Sequence, residues 1–283
     1  MNVLKIAAFS HGETGGNPAG VVIADALPTV AQMQATATEV GFSESVFATR
    51  IKDDGGDASG WRVRYFSPQS EVPFCGHATI ALGAALAMQH GDGVFPLTIN
   101  HAQITVEGRR DGGVITAALQ SPPTRSAAAT PEMTAAAMGL FALTPDDLDP
   151  RIPLALIHGG ADHVVLALKS RARLAAMAYD FEAGRKLMTG AGLATMVLVH
   201  AETPRLFHTR NPFASGGVYE DPATGAATAA LAGYLRDLAW PHGGAIDVVQ
   251  GEDMGMLSKL HADISPTAGS SIRVSGTARV MAA

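Results

Sequence analysis

Two stretches of this 283-residue chain are too apolar to form surface helices: GHATIALGAALAMQHG from Gly76 and TGAATAALAGYLRDLA from Thr224. In each, Ala and Leu recur on every side of a 3.6-residue turn instead of along one stripe. A helix of that kind has to be surrounded by other parts of the protein. Neither stretch reaches the length of a membrane span, and no run of about 18 uncharged apolar residues occurs elsewhere. The sequence therefore predicts two helices, each the central element of its own domain.

The two stretches also resemble one another. Laid over each other, GHATIALGAAL (76–86) and GAATAALAGYL (225–235) share six of eleven positions: Gly, Ala, Thr, Ala, Leu and the final Leu. Upstream, Arg64-Tyr65-Phe66 mirrors Arg205-Leu206-Phe207, and EVGFSESVFAT has a looser counterpart in GAGLATMVLVH. A repeat near half the chain length predicts two similarly folded domains related by a pseudo-twofold axis. The expected division is 1–125 and 126–283, with the C-terminal strand able to cross back into the first domain. The Ala-, Thr- and Pro-rich segment from Pro122 to Pro153 reads as a connector with short helices.

LKIAAFS, AGVVIAD, ESVFATRI and GWRVRYFSP read as strands. TVAQMQATATEVG has helical spacing, with Thr29 as N-cap and Gly41 as stop. Strands and helices do not keep a strict βαβ rhythm. That favours an α+β fold with mixed or antiparallel sheets over a doubly wound one.

Hydrophobic residues make up 47% and charged residues 16%, enough apolar material for a large core. A net charge of −6 and a pI near 5.9, with no Lys or Arg run, argue against a nucleic-acid backbone binder. The start, MNVLKIAAFSHGETGGN, lacks the basic and long apolar regions of a signal peptide, so the expectation is a cytoplasmic protein that does not engage a membrane. Cys75 is the single cysteine, which rules out an intramolecular disulfide and any CxxC metal site. His158, His163, His200 and His208 show no ligand spacing and read as ordinary polar residues. No strand–GxGxxG–helix plan appears. The sequence thus predicts chemistry without metal, flavin or nicotinamide.

Each apolar helix is preceded by a glycine-bearing turn, PFCGHAT or EDPATGAAT. Such a turn presents backbone N–H groups and the positive end of the helix dipole. Two turns facing one cleft would cradle a carboxylate or a developing enolate. Cys75 and His77 lie at the first mouth; Glu220, Asp221 and Thr224 lie at the second. Phe42, Val46 and Phe47 flank Glu44, and apolar surroundings raise a carboxyl pKa towards the range of proton transfer. Read from the residues alone, Glu44 is equally a solvated acid at a strand end. His77 either handles a proton or caps its helix. Asp221 either accepts a hydrogen bond in the site or is an N-cap before Pro222.

The stretches GNPAGVV (16–22), GFSESVFAT (41–49), RYFSPQSEVPFCGHATIA (64–81), RLF (205–207), EDPATGAA (220–227) and QGEDMG (250–255) span nearly the whole chain in order. By them the chain resembles the phenazine-biosynthesis PhzF-like isomerases, whose fold is that of diaminopimelate epimerase. The resemblance implies two domains, each a curved sheet wrapped round a central helix, with the active site in the cleft between them. It implies Glu44 as the catalytic carboxylate and His77 and Asp221 as further catalytic positions. Ser43, Gly76, Thr224, Gly225 and Ala226 are implied as substrate-binding positions, with no cofactor, a small carboxylate-bearing substrate and a homodimer. Gly76 and Gly225 are then expected on the order of 10 Å apart across that cleft, within reach of one ligand.

Diaminopimelate epimerase opposes one cysteine from each half. Here the second turn reads DPATG, so two-thiol chemistry is excluded and Cys75 reads as a small buried residue at a helix start. The expected function is a cofactor-independent isomerase. The alternatives are an epimerase with Glu44 and His77 as opposed bases, or an inactive relative that only binds small molecules. Two departures from the family pattern bear on substrate. Ala226 stands where many relatives have serine, and Met254-Gly255-Met256-Leu257-Ser258 lacks an arginine that many carry.

Overall fold

The computed structural model describes residues 2–52 and 58–282, a mixed α/β fold of sheets with few helices. The chain divides into two compact units: one running to Pro122 and closed by the segment from Ser275, the other Pro123–Val274. The first unit contains β1 (Leu4–Ala8), β2 (Asn17–Ile23), α1 (Val30–Val40), β3 (Glu44–Lys52), β4 (Ala58–Phe66), β5 (Glu71–Val72), α2 (Gly76–His90), β6 (Gly93–Thr98), β7 (Gln103–Asp111) and β8 (Val114–Gln120). The second contains β9 (Arg125–Ala128), α3 (Pro131–Leu140), β10 (Ala155–His158), β11 (Asp162–Ala167), α4 (Arg171–Ala175), α5 (Phe181–Gly190), β12 (Thr195–Ala201) and β13 (Leu206–Phe213). It continues with β14 (Val218–Asp221), α6 (Gly225–Asp237), β15 (Ala245–Gln250) and β16 (Ser258–Asp263), before β17 (Arg273–Val280).

In the first unit the pairings run β17–β1–β2–β3–β4–β6–β7–β8 and return to β17, which closes an eight-stranded barrel. The β2–β3 and β4–β6 pairs are parallel. Helix α2 packs against β1, β2, β3, β6, β7 and β8, so it runs through the barrel, and every residue from Gly76 to Ala87 is buried. This is the all-round apolar pattern realised. The close fit depends on two glycines. A Cβ added at Gly108 on β7 would collide with the backbone oxygen of Gly83 on α2. Gly108→Val should therefore cost at least about 1–3 kcal/mol by overpacking. A thermal melt of that variant matching the parent would show that strand and helix can separate there at no cost.

Helix α1 packs on the outer face of the barrel over β3 and β4. Thr29 and Gln32 form a reciprocal capping box, and Gly41 ends the helix in the left-handed region at φ 71°, as the sequence predicts. Met33 and Ala37 of α1 pack on Val22, Phe47 and Phe66. Side chains alternate along a strand. Because Phe47 faces α1, positions 44, 46 and 48 face inward, towards α2. This alternation turns Glu44 into the barrel.

In the second unit the order is β9–β10–β11–β12–β13–β15–β16, with β14 paired to β13. Its parallel pairs, β11–β12 and β13–β15, recur in the same sequence of connections as in the first unit. Helix α6 is buried from Gly225 to Arg236 and packs on β9, β10, β11, β15 and β16. The other face of β11 and β12 carries Val164, Leu166, Met196 and Leu198 into a core with Ala137, Phe141 and Met188 beneath α3 and α5.

The expected repeat is displaced at one point. Arg205 lies exposed in the turn before β13 and has no likeness to Arg64. Arg64 holds Glu71 through two hydrogen bonds, Nε–Oε1 at 2.8 Å and Nη2–Oε2 at 2.5 Å. Its equivalent is Arg210, which holds Glu220 the same way at 3.0 and 2.5 Å. The likeness of Arg205-Leu206-Phe207 to Arg64-Tyr65-Phe66 does not follow the strand register, and the 3-10 turn Ala214–Gly216 separately lengthens the connection between the paired Arg and Glu in the second unit. Among the described residues, no helix is long and apolar enough to cross a membrane.

Candidate active site

Glu44 is the first residue of β3 and is 4% exposed; His77 is the second residue of α2 and is 3% exposed. Glu44 Oε2 lies 3.6 Å from His77 Nε2, beyond hydrogen-bond length, and has no hydrogen-bond partner among the described residues. Burial pushes the Glu44 carboxyl up from 4.5 to about 7, against smaller pulls downward from hydrogen bonds with Ser43 and Cys75. Burial also pushes His77 down from 6.5 to about 3, so near neutral pH its imidazole is uncharged. The pair is a carboxyl poised to gain or lose a proton beside a neutral ring.

Ser43 precedes the strand, with its Oγ 3.5 Å from His77 Nε2. Cys75 is the N-cap of α2 in an extended conformation, 7% exposed, and its side chain makes no capping bond. Its Sγ lies 3.3 Å from His77 Nδ1 and 4.0 Å from Nε2. Its carbonyl accepts from Thr79 N at 3.0 Å and Thr79 Oγ1 at 2.7 Å, and Tyr65 anchors Thr79 in turn at 2.7 Å. The reading of Cys75 as a buried residue at a helix start describes what is seen. Five predicted positions, Ser43, Glu44, Cys75, Gly76 and His77, thus lie together at the mouth of α2.

Asp221, Thr224, Gly225 and Ala226 lie together at the mouth of α6. Asp221 ends β14, 3% exposed, and Thr224 is the N-cap. The cap reading of Asp221 is therefore replaced: its Oδ2 accepts from Thr224 Oγ1 at 2.5 Å. Gln250, at the end of β15, ties the turn together. Its Nε2 donates to Asp221 O at 2.7 Å and Thr224 Oγ1 at 3.0 Å, while its Oε1 accepts from Thr224 N at 3.1 Å. Ala226 occupies in α6 the place His77 holds in α2, and offers only a methyl group.

His163, read from the sequence as an ordinary polar residue, is buried on the inner face of the second sheet. His163 Nδ1 meets Thr195 Oγ1 at 2.8 Å, and Asn211 Nδ2 reaches the same oxygen at 3.5 Å. His163 Nε2 and Asn211 Oδ1 are buried without a partner among the described residues. The parallel register pairs His163 with Thr195 as it pairs Ala19 with Glu44. Thr195 is thus the counterpart of Glu44, consistent with the alignment of GLATM with GFSES. His163 had no comparable signal, since its place depends on the register of β11 against β12.

A profile described as "Phenazine biosynthesis-like protein" (PhzC-PhzF) matches residues 6–283. The chain is 33% identical over 268 residues to trans-2,3-dihydro-3-hydroxyanthranilate isomerase of Pseudomonas aeruginosa, covering 91% of this chain and 88% of that one. A phenazine biosynthesis protein of the PhzF family from Bacillus anthracis superposes with TM-score 0.83 at 21% identity, over 99% of this chain and 96% of that one. A probable proline racemase from Agrobacterium radiobacter shares the fold at TM-score 0.67 and 12% identity, over 99% and 90% of the two chains. A carboxyl raised to about 7 at the mouth of a buried helix is thus carried on a chain that matches this profile almost end to end, and the protein belongs to the phenazine biosynthesis-like PhzC-PhzF family and is an isomerase.

Proposed function

We propose that this isomerase moves a proton on a small carboxylate-bearing metabolite, with Glu44 as the general acid and base and no cofactor. The observation that supports this most is the state of Glu44: buried, raised to about 7, and lacking a partner on Oε2. A group with a pKa near the working pH takes and returns a proton at the least cost. His77, neutral and 3.6 Å away, positions the reacting group or passes a proton. Backbone N–H groups from Gly76 and Gly225 onward steady developing negative charge, since neither helix start is occupied by its N-cap side chain.

To Asp221, Thr224, Gly225 and Ala226 we assign contacts with the substrate, a role that rests on family membership. The same basis supports two pseudo-symmetric domains, a homodimer and a cytoplasmic location. The relative from Pseudomonas aeruginosa is named for an anthranilate, which is a carboxylate, and this supports the substrate class. Ala226, in place of a serine, argues for a substrate differing in the polar group that would meet that position.

The epimerase alternative needs acid and base on opposite sides of one carbon, each about 3 Å from it. Glu44 Oε2 and His77 Nε2 are 3.6 Å apart, too close to hold a carbon between them, and His77 is held neutral. The discriminating experiment is turnover in deuterium oxide. Proton relocation places deuterium at the receiving carbon with a shifted double bond. Deuterium confined to one inverted stereocentre would overturn the isomerisation. Cys75→Ala should keep most turnover, because the carboxyl works without a second thiol; loss of catalysis with the circular dichroism spectrum preserved would place the thiol in the chemistry.

A further inference from the structure

Glu44, Cys75 and His77 each bring one donor atom into a space where all three lie within 4.8 Å of one another, and all three residues are buried. The spacing along the chain shows no ligand set. The fold assembles one by setting the start of β3 against the start of α2. Tetrahedral zinc holds sulfur at about 2.3 Å and nitrogen or oxygen at about 2.0–2.2 Å, which separates its ligands by roughly 3.3–3.6 Å. Here carboxylate oxygen and ring nitrogen are 3.6 Å apart, and sulfur and ring nitrogen are 3.3 or 4.0 Å apart according to the nitrogen. A single nitrogen, Nε2, faces both other donors, at 3.6 Å from the oxygen and 4.0 Å from the sulfur, so one ring position can serve the site.

We propose that Glu44, Cys75 and His77 form a binding site for a thiophilic divalent cation, zinc foremost, which ties up the Glu44 carboxylate and so switches the enzyme off.

Charge balance favours the site. A doubly positive ion with one carboxylate, one thiolate and one neutral imidazole sums to zero, so the loaded cluster carries no net charge into the interior. Without the ion, an ionised Glu44 keeps one oxygen buried and unpartnered. Three protein ligands leave the fourth tetrahedral position to water, the pattern of an open rather than a structural zinc site. Sulfur, nitrogen and oxygen together select zinc or cobalt over magnesium and calcium, which take oxygen ligands.

The test uses the full chain, prepared with chelator and freed of it, and the metal alone. Cobalt titration should saturate at one equivalent and give a thiolate-to-cobalt charge-transfer band. Zinc should displace the cobalt. Cys75→Ala should abolish the band and weaken zinc binding by at least about tenfold, or 1.4 kcal/mol. Saturation without a thiolate band, zinc affinity unchanged in Cys75→Ala, or no saturable binding would each overturn the site. The cobalt band is read on the unmodified protein, so the test survives a variant that folds poorly. These readouts need no turnover, so their failure is separate from any failure of Glu44 as acid and base.

Discussion

Glu44→Gln is expected to lose about 10²–10⁴-fold in turnover, the usual contribution of general acid–base catalysis, while becoming more stable than the parent above pH 7. The two effects share one cause. In the unfolded chain the carboxyl titrates near 4.5; in the folded chain burial moves it to about 7. Below pH 4.5 both states hold the proton and Glu44 carries no penalty. As pH rises from 4.5 to 7 the unfolded state ionises first, and the folded state loses stability. At 1.36 kcal/mol per pH unit, the displacement from 4.5 to about 7 amounts to about 3 kcal/mol, fully lost above pH 7. Glutamine is similar in shape and never ionises, so it escapes that loss. His77 works in the opposite direction: its value is lowered from 6.5 to about 3, so its stability is present above pH 6.5 and is lost as pH falls towards 3. That contribution is common to parent and variant and cancels in the difference. Thermal melts at pH 4 and pH 8 check the linkage. The variant should match the parent at pH 4 and melt higher at pH 8. A variant less stable at pH 8 would mean that the native carboxylate is compensated, and retained turnover would remove Glu44 from the chemistry.

Arg210→Met should be among the most damaging single changes away from the site, at about 3–5 kcal/mol, the range for breaking one side of a buried ion pair. Arg210 and Glu220 have side chains 10% and 3% exposed, and two hydrogen bonds join them. Arg210 also donates from Nη1 to Ala175 O at 2.9 Å, tying the end of α4 to β13. Removing the guanidinium leaves Glu220 buried and uncompensated next to Asp221, so the turn into α6 should loosen with it. The equivalent pair in the first unit serves as an internal control. Arg64 and Glu71 have the same two-bond geometry but are 21% and 25% exposed. Solvent then replaces most of what is lost, and Arg64→Met should cost no more than about 1 kcal/mol. Urea unfolding of both variants decides the matter. Equal costs would show that exposure does not govern these pairs. A double variant, Arg210→Met with Glu220→Leu, should recover much of the loss, because no charge is left buried.

These two pairs mark the division between what sequence and tertiary structure contribute. The two central helices were legible because all-round apolarity is a local property that only a surrounding sheet can satisfy. The limits of α1 were legible for a similar reason: Thr29, Gln32 and Gly41 act within a few residues of their own backbone. The first-mouth cluster could be anticipated through motif resemblance and through the apolar flanks of Glu44. By contrast, Arg205 was matched to Arg64 by the likeness of Arg-Leu-Phe to Arg-Tyr-Phe, and strand register moves the match to Arg210. A three-residue turn inserted in a connection is invisible to a residue-by-residue repeat, but the sheet absorbs it without losing its pairing. His163 against Thr195, and Cys75 against Glu44, depend on strands and helices that meet only when the sheets curve round their helices. The value of about 7 at Glu44 belongs wholly to the tertiary structure. Flanking residues suggest the direction, but the size of the displacement is a sum of desolvation over every neighbour that the closed barrel brings near, against the few hydrogen bonds it permits.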